Sequence, residues 1–537
     1  MAHRGYETYH HVRPEQVVSN NSLTSVITSS NRHQRPTSDH NFVTVGAPDG
    51  SFNFGTIEEA LAAIGCGGSE PNERRLRETA RRNNVIPTIL IYPGRYQLPC
   101  NLGDAPINFQ GAGFDGRPSV IVTGNTESGG NKNWAGIRFE DVEYKLGERS
   151  DGREQFVNTT FTDRSTISSC NSSLVFIGSN FDYDELPKRP VVSVEGRSHL
   201  VLNECKVRSA RNERRSRSRS RSRNRSDERE ERVPLEQRAR SRSRSRPRSR
   251  SRSHGHSRSR SNSRSRNNAI FRLRATNGDT RIEGTSFEAT NNCLSDSKSE
   301  NHYLFDVGSS QPIYFQNNIV RMSSNHGRLF VFGSNRSCDS VALEITNSTF
   351  TNRAPENPFV GIVANLWART QRTDLFGSIT IDSCIGNSVI PFWYDDVTRH
   401  WPQNLSLSNS TFNAAGTSTA ETSSLVYIEQ PPASTWQLTI TNTKMTGRNV
   451  IPIVIESVTA RNSPITSNGG ENFTLNVANS FFQNLAVPSV GEIPWLRVSG
   501  LTNFIINIDV GSSRRGFGSP EFVSNGTITQ NVNPALL

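Results

Sequence analysis

One short phrase recurs along this chain and limits what it can fold into. It runs apolar, any, apolar, any, Asn or Ser, two further residues, then Phe or another apolar side chain. The clearest copies are Leu343-Glu344-Ile345-Thr346-Asn347-Ser348-Thr349-Phe350 and Leu405-Ser406-Leu407-Ser408-Asn409-Ser410-Thr411-Phe412. Others lie at 156–161, 175–181, 201–205, 281–287, 313–319, 438–442 and 475–481. Residues two apart on a strand face the same way, so the Leu and Ile of each copy share one side. Asn suits a tight bend, where it bonds backbone groups or stacks on the Asn one rung away. The Phe then opens the next side and packs inside. Copies are mostly about 20 to about 36 residues apart, the coil length of a β-solenoid with variable loops. A β-sandwich or jelly roll also has short alternating strands, but a fixed phrase ending in Asn-x-x-Phe favours the solenoid. The expected fold is all-β: a right-handed, single-stranded parallel β-helix of ten to twelve rungs, roughly 50–60 Å long at about 4.8 Å per rung.

One interval breaks the rule. Between Cys205 and Phe287 lies an Arg-Ser run that includes Ser216 to Arg223 and Ser241 to Arg246. Residues 208–267 hold 23 Arg and 6 acidic residues, a net charge of +17; the whole chain carries +11, so the remainder sums to −6. The basic balance belongs to this arm alone. With almost no apolar side chains it cannot offset the entropy of ordering, and disorder is expected. Without the arm the interval returns to ordinary coil size, so the arm reads as an insertion in one inter-strand loop. The expected organisation is a disordered tail over 1–40, a β-helix with an N-terminal cap over 41–207, the arm over 208–267, and the β-helix continuation with a C-terminal cap over 268–537.

Order begins at the strand Phe42-Val43-Thr44-Val45, followed by the turn Gly46-Ala47-Pro48-Asp49-Gly50. Thr56 caps a helix over Ile57–Ile64, with Glu58 and Glu59 in the first turn where the helix dipole favours acids. A second helical stretch reads from Asn72 to Arg82. The strand Thr88–Tyr92 stops at Pro93-Gly94 and resumes at Arg95–Leu98. The order of strand, turn, Phe-x-x-Ile-x-x-Ala-Leu-x-x-Ile helix and Ile-Leu-Ile-Tyr-Pro-Gly-Arg-Tyr resembles the opening segment of pectin methylesterases and other pectin-lyase-like proteins. The resemblance covers about residues 42–98. It implies a helix that plugs the N-terminal end of a right-handed parallel β-helix.

The chemistry of that superfamily is not legible here. The Gly-Thr-Val-Asp-Phe-Ile-Phe-Gly and Gly-Arg-x-Trp segments of the methylesterases are missing; Gly327-Arg328-Leu329-Phe330 and Phe332-Gly333 lack the acid and the Trp. Of the polygalacturonase set, Asp395-Asp396 and Asn325-His326-Gly327 stand in reverse chain order without their partners. Nothing in the rungs shows the clustered acids that pectate-lyase chemistry needs for calcium. The remaining catalytic candidates are Asp395, Asp396 and His400, beside Trp393, Tyr394, Arg399 and Trp401. Paired carboxylates can divide acid and base roles, and a loop with ordinary surface acids is the plainer reading. No cofactor and no metal site is expected. The seven cysteines include no CxxC pair, which suits free buried thiols in a reducing compartment.

Composition points to the arm as the functional element. Arg guanidinium groups pair with phosphate bidentately, and such binding is salt-dependent and insensitive to sequence. The expected contacts are Arg215, Arg217, Arg219, Arg221, Arg223, Arg242, Arg244, Arg246, Arg248, Arg250 and Arg252. The alternation resembles the RS domains of splicing-associated SR proteins, which implies an SR-protein kinase as partner. The phosphorylation candidates are Ser216, Ser218, Ser220, Ser222, Ser241, Ser243, Ser245, Ser249 and Ser251; each phosphate adds about −1.5 to −2 charges. No RNA-recognition motif accompanies the arm. The N-terminus lacks the apolar stretch of a signal peptide, and no apolar run reaches the roughly 20 residues of a membrane span. An intracellular, nuclear or virion location is expected. The leading expectation is a non-enzymatic β-helix structural or interaction protein whose arm holds nucleic acid or another polyanion, with oligomer or virion assembly partners. Its composition resembles that of virion proteins of large DNA viruses of protists. The alternative is a carbohydrate-active enzyme or glycan binder of the pectin-lyase-like superfamily, using the groove near Trp393–Trp401.

Overall fold

A computed structural model describes residues 42–47, 53–66, 78, 86–112, 119–147, 152–162, 164–183, 190–209, 268–275, 278–290, 302–308, 312–323, 328–332, 340–352, 361–366, 376–394, 404–415, 424–430, 435–448, 450–457, 472–485, 493–499, 503–523 and 527–532. The expected tail, most of the second helical stretch and the arm from 210 to 267 lie outside the described residues.

The chain is a right-handed parallel β-helix. Its strands pair in parallel across coils and form three sheets. The two long strands Val120–Ser128 and Ile137–Leu146 run through the second and third sheets without a break. Later coils split that path into two strands, such as Asn180–Tyr183 and Val192–Gly196.

The first sheet shows why the phrase works. Its inward column runs Val43, Ile89, Phe109, Trp134, Phe156, Phe176, Leu202, Ile282, Phe315, Ile345, Ile381, Leu407, Ile440, Val477 and Ile508, and the backbone register continues to Val532. These sixteen positions are in register, so the rod has sixteen rungs and is roughly 70 Å long, more than the ten to twelve expected. The difference comes from coils that stack without the Asn phrase: the first four, the one through Ile381, where Ser383 takes the bend, and the last two. The Phe of the phrase opens the second sheet: Phe161, Phe181, Phe287, Phe350 and Phe412 are all buried. In the copy at 475–481 the inward ring is Phe482, one residue on, and Phe481 lies outward with Lys444 over it at 5.9 Å.

The bend between the first and second sheets is left-handed. Asn158, Asn317, Asn347, Asn409, Asn442 and Asn479 have φ between 46° and 55°, a conformation Asn tolerates better than most side chains. Asn side chains stack in part, as Asn442 donates to Asn409 at 3.1 Å and Asn409 to Asp382 at 2.8 Å. The bond to the backbone falls to the next residue instead. A buried ladder of Ser, Thr and Asn accepts amides one coil below: Thr285 N–H to Asn318, Asn318 N–H to Ser348, Cys384 N–H to Ser410 and Thr443 N–H to Ser480. Cys205 and Cys384 sit in this ladder, and burial pushes both thiols up to about 12.

The helix Ile57–Ala63 buries Ile57, Ala60 and Leu61 against the first coils. Thr56 accepts from Glu59 N–H while Glu59 reaches back to the Thr56 amide, a reciprocal cap. Thr56→Ala is expected to cost about 1 kcal/mol, seen as faster amide exchange across Ile57–Ala63. No helix among the described residues is long and apolar enough to cross a membrane.

Strands on either side of 210–267 belong to one coil. Lys206–Ser209 lies in the second sheet between Asn180–Tyr183 and Ser286–Thr290. Asn268–Ala275 lies in the third sheet between Val192–Gly196 and His302–Val307. Arg208 and Ser209 are therefore strand residues rather than the start of the insertion.

Candidate functional site

The third sheet has an outward column that differs from its neighbours. Alternation turns Phe271, Phe305, Phe330, Phe392, Val426 and Ile453 inward, where all are buried. The intervening positions Arg272, Asp306, Val331, Trp393, Tyr427, Val454, Arg497 and Glu521 fall in register on the outer side. Val331 and Val454 are buried although they lie on this side. Exposed area is therefore confined to parts of the column.

Trp393 and Tyr427 form its centre. Both are half-buried. Their rings stack with centroids 4.5 Å apart and planes 25° from parallel. Trp393 also packs on the core. The Tyr427 hydroxyl donates to Glu456 at 3.3 Å, from the next strand along the rod. Ion pairs mark the two ends: Arg272 Nε lies 3.4 Å from the nearly buried Asp306 carboxylate, and Arg497 Nε donates to Glu521 at 2.7 Å. An apolar ring pair with polar groups fixed around it is the usual make-up of a small-molecule or saccharide contact surface.

Of the sequence candidates, only Trp393 enters this constellation. Asp395, Asp396, Arg399, His400 and Trp401 lie outside the described residues, as do all the named Arg and Ser positions from Arg215 to Arg252. Tyr427 and Glu456 were missed. Tyr427 stands in the continuous apolar run Leu425-Val426-Tyr427-Ile428, and Glu456 follows the apolar run Ile451–Ile455; neither run says that Tyr427 meets Trp393. Carboxylates titrating below their usual range sit elsewhere, on the first sheet and its turns. The His199 hydrogen bond at 2.8 Å, with Arg281 adding to it, holds Asp279 down at about 2 against the opposing effect of burial. The Ser408 hydroxyl at 2.6 Å, helped by Ser383 and Asn409, lowers Asp382. Among the described residues no group of three or more His, Cys, Asp and Glu side chains could hold a metal ion.

Neither a protein-family model nor a curated protein matches the chain. Solved structures do align with it. A PL6-family polysaccharide lyase from Pseudopedobacter saltans is 12% identical over 83% of this chain and 89% of its own, with a TM-score of 0.33. The alginate lyase AlyF-OU02 is 10% identical over 87% and 86%, at 0.32. The A-module of the Azotobacter vinelandii mannuronan C-5 epimerase AlgE4 is 11% identical over 79% and 97%, at 0.28. The β-helix itself is read from the strand pairing above. The expectation of a non-enzymatic structural or virion protein acting through its Arg-Ser arm is corrected here. The three structures named above are described as two polysaccharide lyases and an epimerase, which accords with the carbohydrate alternative better than with that expectation. The arm dominates composition, whereas the aromatic column exists only once coils stack; sequence reading weighs the first and cannot see the second.

Proposed function

We propose that this protein binds a polysaccharide along the outward surface of its third sheet, with Trp393 and Tyr427 at the contact. The supporting observation is the stacked Trp393–Tyr427 pair with the Tyr427–Glu456 hydrogen bond, at outward positions of a long straight rod. A rod offers a linear polymer successive rungs about 4.8 Å apart, and aromatic side chains with a few fixed polar groups supply both contact area and orientation. Affinity electrophoresis against alginate, pectate and a neutral glucan tests the reading. Wild-type protein should be retarded by at least one of them. Trp393→Ala should weaken that binding about tenfold or more, the loss of one buried aromatic contact, while Trp393→Phe keeps most of it. Equal migration of wild type and Trp393→Ala in all three gels would overturn the proposal. New reducing ends in the same samples would show cleavage of the bound chain.

A further inference from the structure

The lumen of the rod holds a charged pair where its column is otherwise mostly aliphatic. The second inward column of the first sheet includes Ile107, Lys132, Glu154, Leu174 and Leu200, and then Ile313, Leu343, Ile379, Leu405, Leu438 and Leu475 on later rungs. Lys132 and Glu154 take adjacent rungs, one residue before the paired Asn133 and Gln155. Both are fully buried.

The surroundings treat the two charges differently. The Lys132 ammonium donates to the carbonyls of Gly103, Ala105 and Gly130 at 2.8 to 2.9 Å, which satisfies its three N–H groups. Glu154 Oε1 accepts from the Ser128 hydroxyl and from the Tyr144 hydroxyl at 3.0 Å. Tyr144 in turn accepts from Trp134 Nε1 at 3.3 Å. Glu154 Oε2 is buried and has no hydrogen-bond partner among the described residues. The groups facing Glu154 are Ser128 from the strand Val120–Ser128, Lys132 from Lys132–Ala135, Tyr144 from Ile137–Leu146 and Leu174 from Ser173–Ile177. Lys132 is the one charged group among them. Tyr144 is the one other titratable group; burial, and then the Glu154 charge, push it well above its ordinary value. An ionised carboxylate with one buried oxygen lacking a hydrogen bond is costly, even beside a cation.

We propose that Glu154 is a proton-operated latch of the N-terminal coils, neutral and locked at acidic pH and ionised and loosened above neutrality. Burial, opposed by Lys132, raises its carboxyl from 4.5 to about 7. The folded chain thus holds this proton more tightly than the unfolded chain does. Its stabilising contribution is full below the ordinary carboxyl value and is lost as pH rises through about 7.

Amide exchange measured at pH 5.5 and pH 8, corrected for intrinsic rates, tests the latch. The strands Ile107–Gly111, Lys132–Ala135 and Arg153–Val157 should lose roughly tenfold or more protection at the higher pH, since each unit of pH between the ordinary carboxyl value and about 7 is worth up to a factor of ten. The distant strand Asn472–Ala478 should keep its protection. In Glu154→Gln the near strands should no longer respond to pH. Should that variant not fold, the double variant Lys132→Met with Glu154→Leu places aliphatic side chains there, like most of the column, and should also be flat. Unchanged protection in the wild type, or an equal loss in the flat variants, overturns the proposal.

Discussion

Lys132→Met alone is expected to cost about 3–5 kcal/mol, the range for removing one partner of a buried charge pair. The side chain is fully buried, so no solvent screens the loss. The carbonyls of Ala105 and Gly130 lose the Lys132 donor, the Gly103 carbonyl keeps the Gly129 N–H at 3.1 Å, and Glu154 is left without its counter-charge. Each unsatisfied buried acceptor costs about 1–3 kcal/mol before relaxation, so the total rests at the upper end of what single substitutions do. The double variant Lys132→Met with Glu154→Leu should recover much of it, because well-packed apolar residues replace a buried pair at little cost. Coils contact mainly their neighbours, so damage in a solenoid is local. Limited proteolysis should cut the single variant first between residues 98 and 158, and leave the double variant close to wild type. Equal protease resistance in all three proteins would show that the pair contributes nothing.

Phe305→Ala should be nearly as damaging, at about 3–5 kcal/mol for a buried Phe whose cavity cannot collapse. Phe305 is fully buried. It stacks on Phe271 at 5.0 Å and on Phe330 at 4.9 Å, with Phe287 edge-on at 5.6 Å. Each such pair adds about 0.5–1.5 kcal/mol beyond area burial. The position matters as well. Phe271 lies on the strand that resumes after residues 210–267, and Phe305 stacks on it from the next coil. Closing a coil across so long a connection costs about 2 kcal/mol more than closing one across a usual loop, at about 0.6 kcal/mol per doubling. The run of rings at Phe271, Phe287, Phe305, Phe315 and Phe330 offsets that cost where it arises. Phe305→Leu keeps apolar volume and should lose about half as much. Urea denaturation followed by fluorescence of Trp134, Trp393 and Trp436, which sit at different heights of the rod, checks both. A midpoint shift as large in Phe305→Leu as in Phe305→Ala would mean that apolar volume alone recovers nothing and that the ring contacts carry the whole effect.

Much of the fold was legible because the phrase encodes local geometry. Leu405 and Leu407 point inward because they are two apart on a strand, and Asn409 bends because its side chain tolerates positive φ. Thr56 and Glu59 announce a helix start from their spacing alone. Lys132 carried a readable warning: Lys132-Asn133-Trp134 and Glu154-Gln155-Phe156 place a charge where the phrase expects an aliphatic residue. That is the signature of a buried pair only if the two positions share a column, which spacing cannot establish.

The amino-acid sequence by itself determined the strand period, the tight bend at Asn, the capped start of the N-terminal helix and the clustering of basic charge in 208–267 against a mildly acidic remainder. Each depends on residues close together in the chain. Tertiary structure decided the number of rungs, the residue that follows each Asn as the ladder's acceptor, the meeting of Trp393 with Tyr427 and the sealing of Lys132 beside Glu154. Coils here differ in length, so chain separation does not fix which residues align. Register comes from stacking, where each inward side chain must meet another one rung away, and only the closed rod supplies that condition.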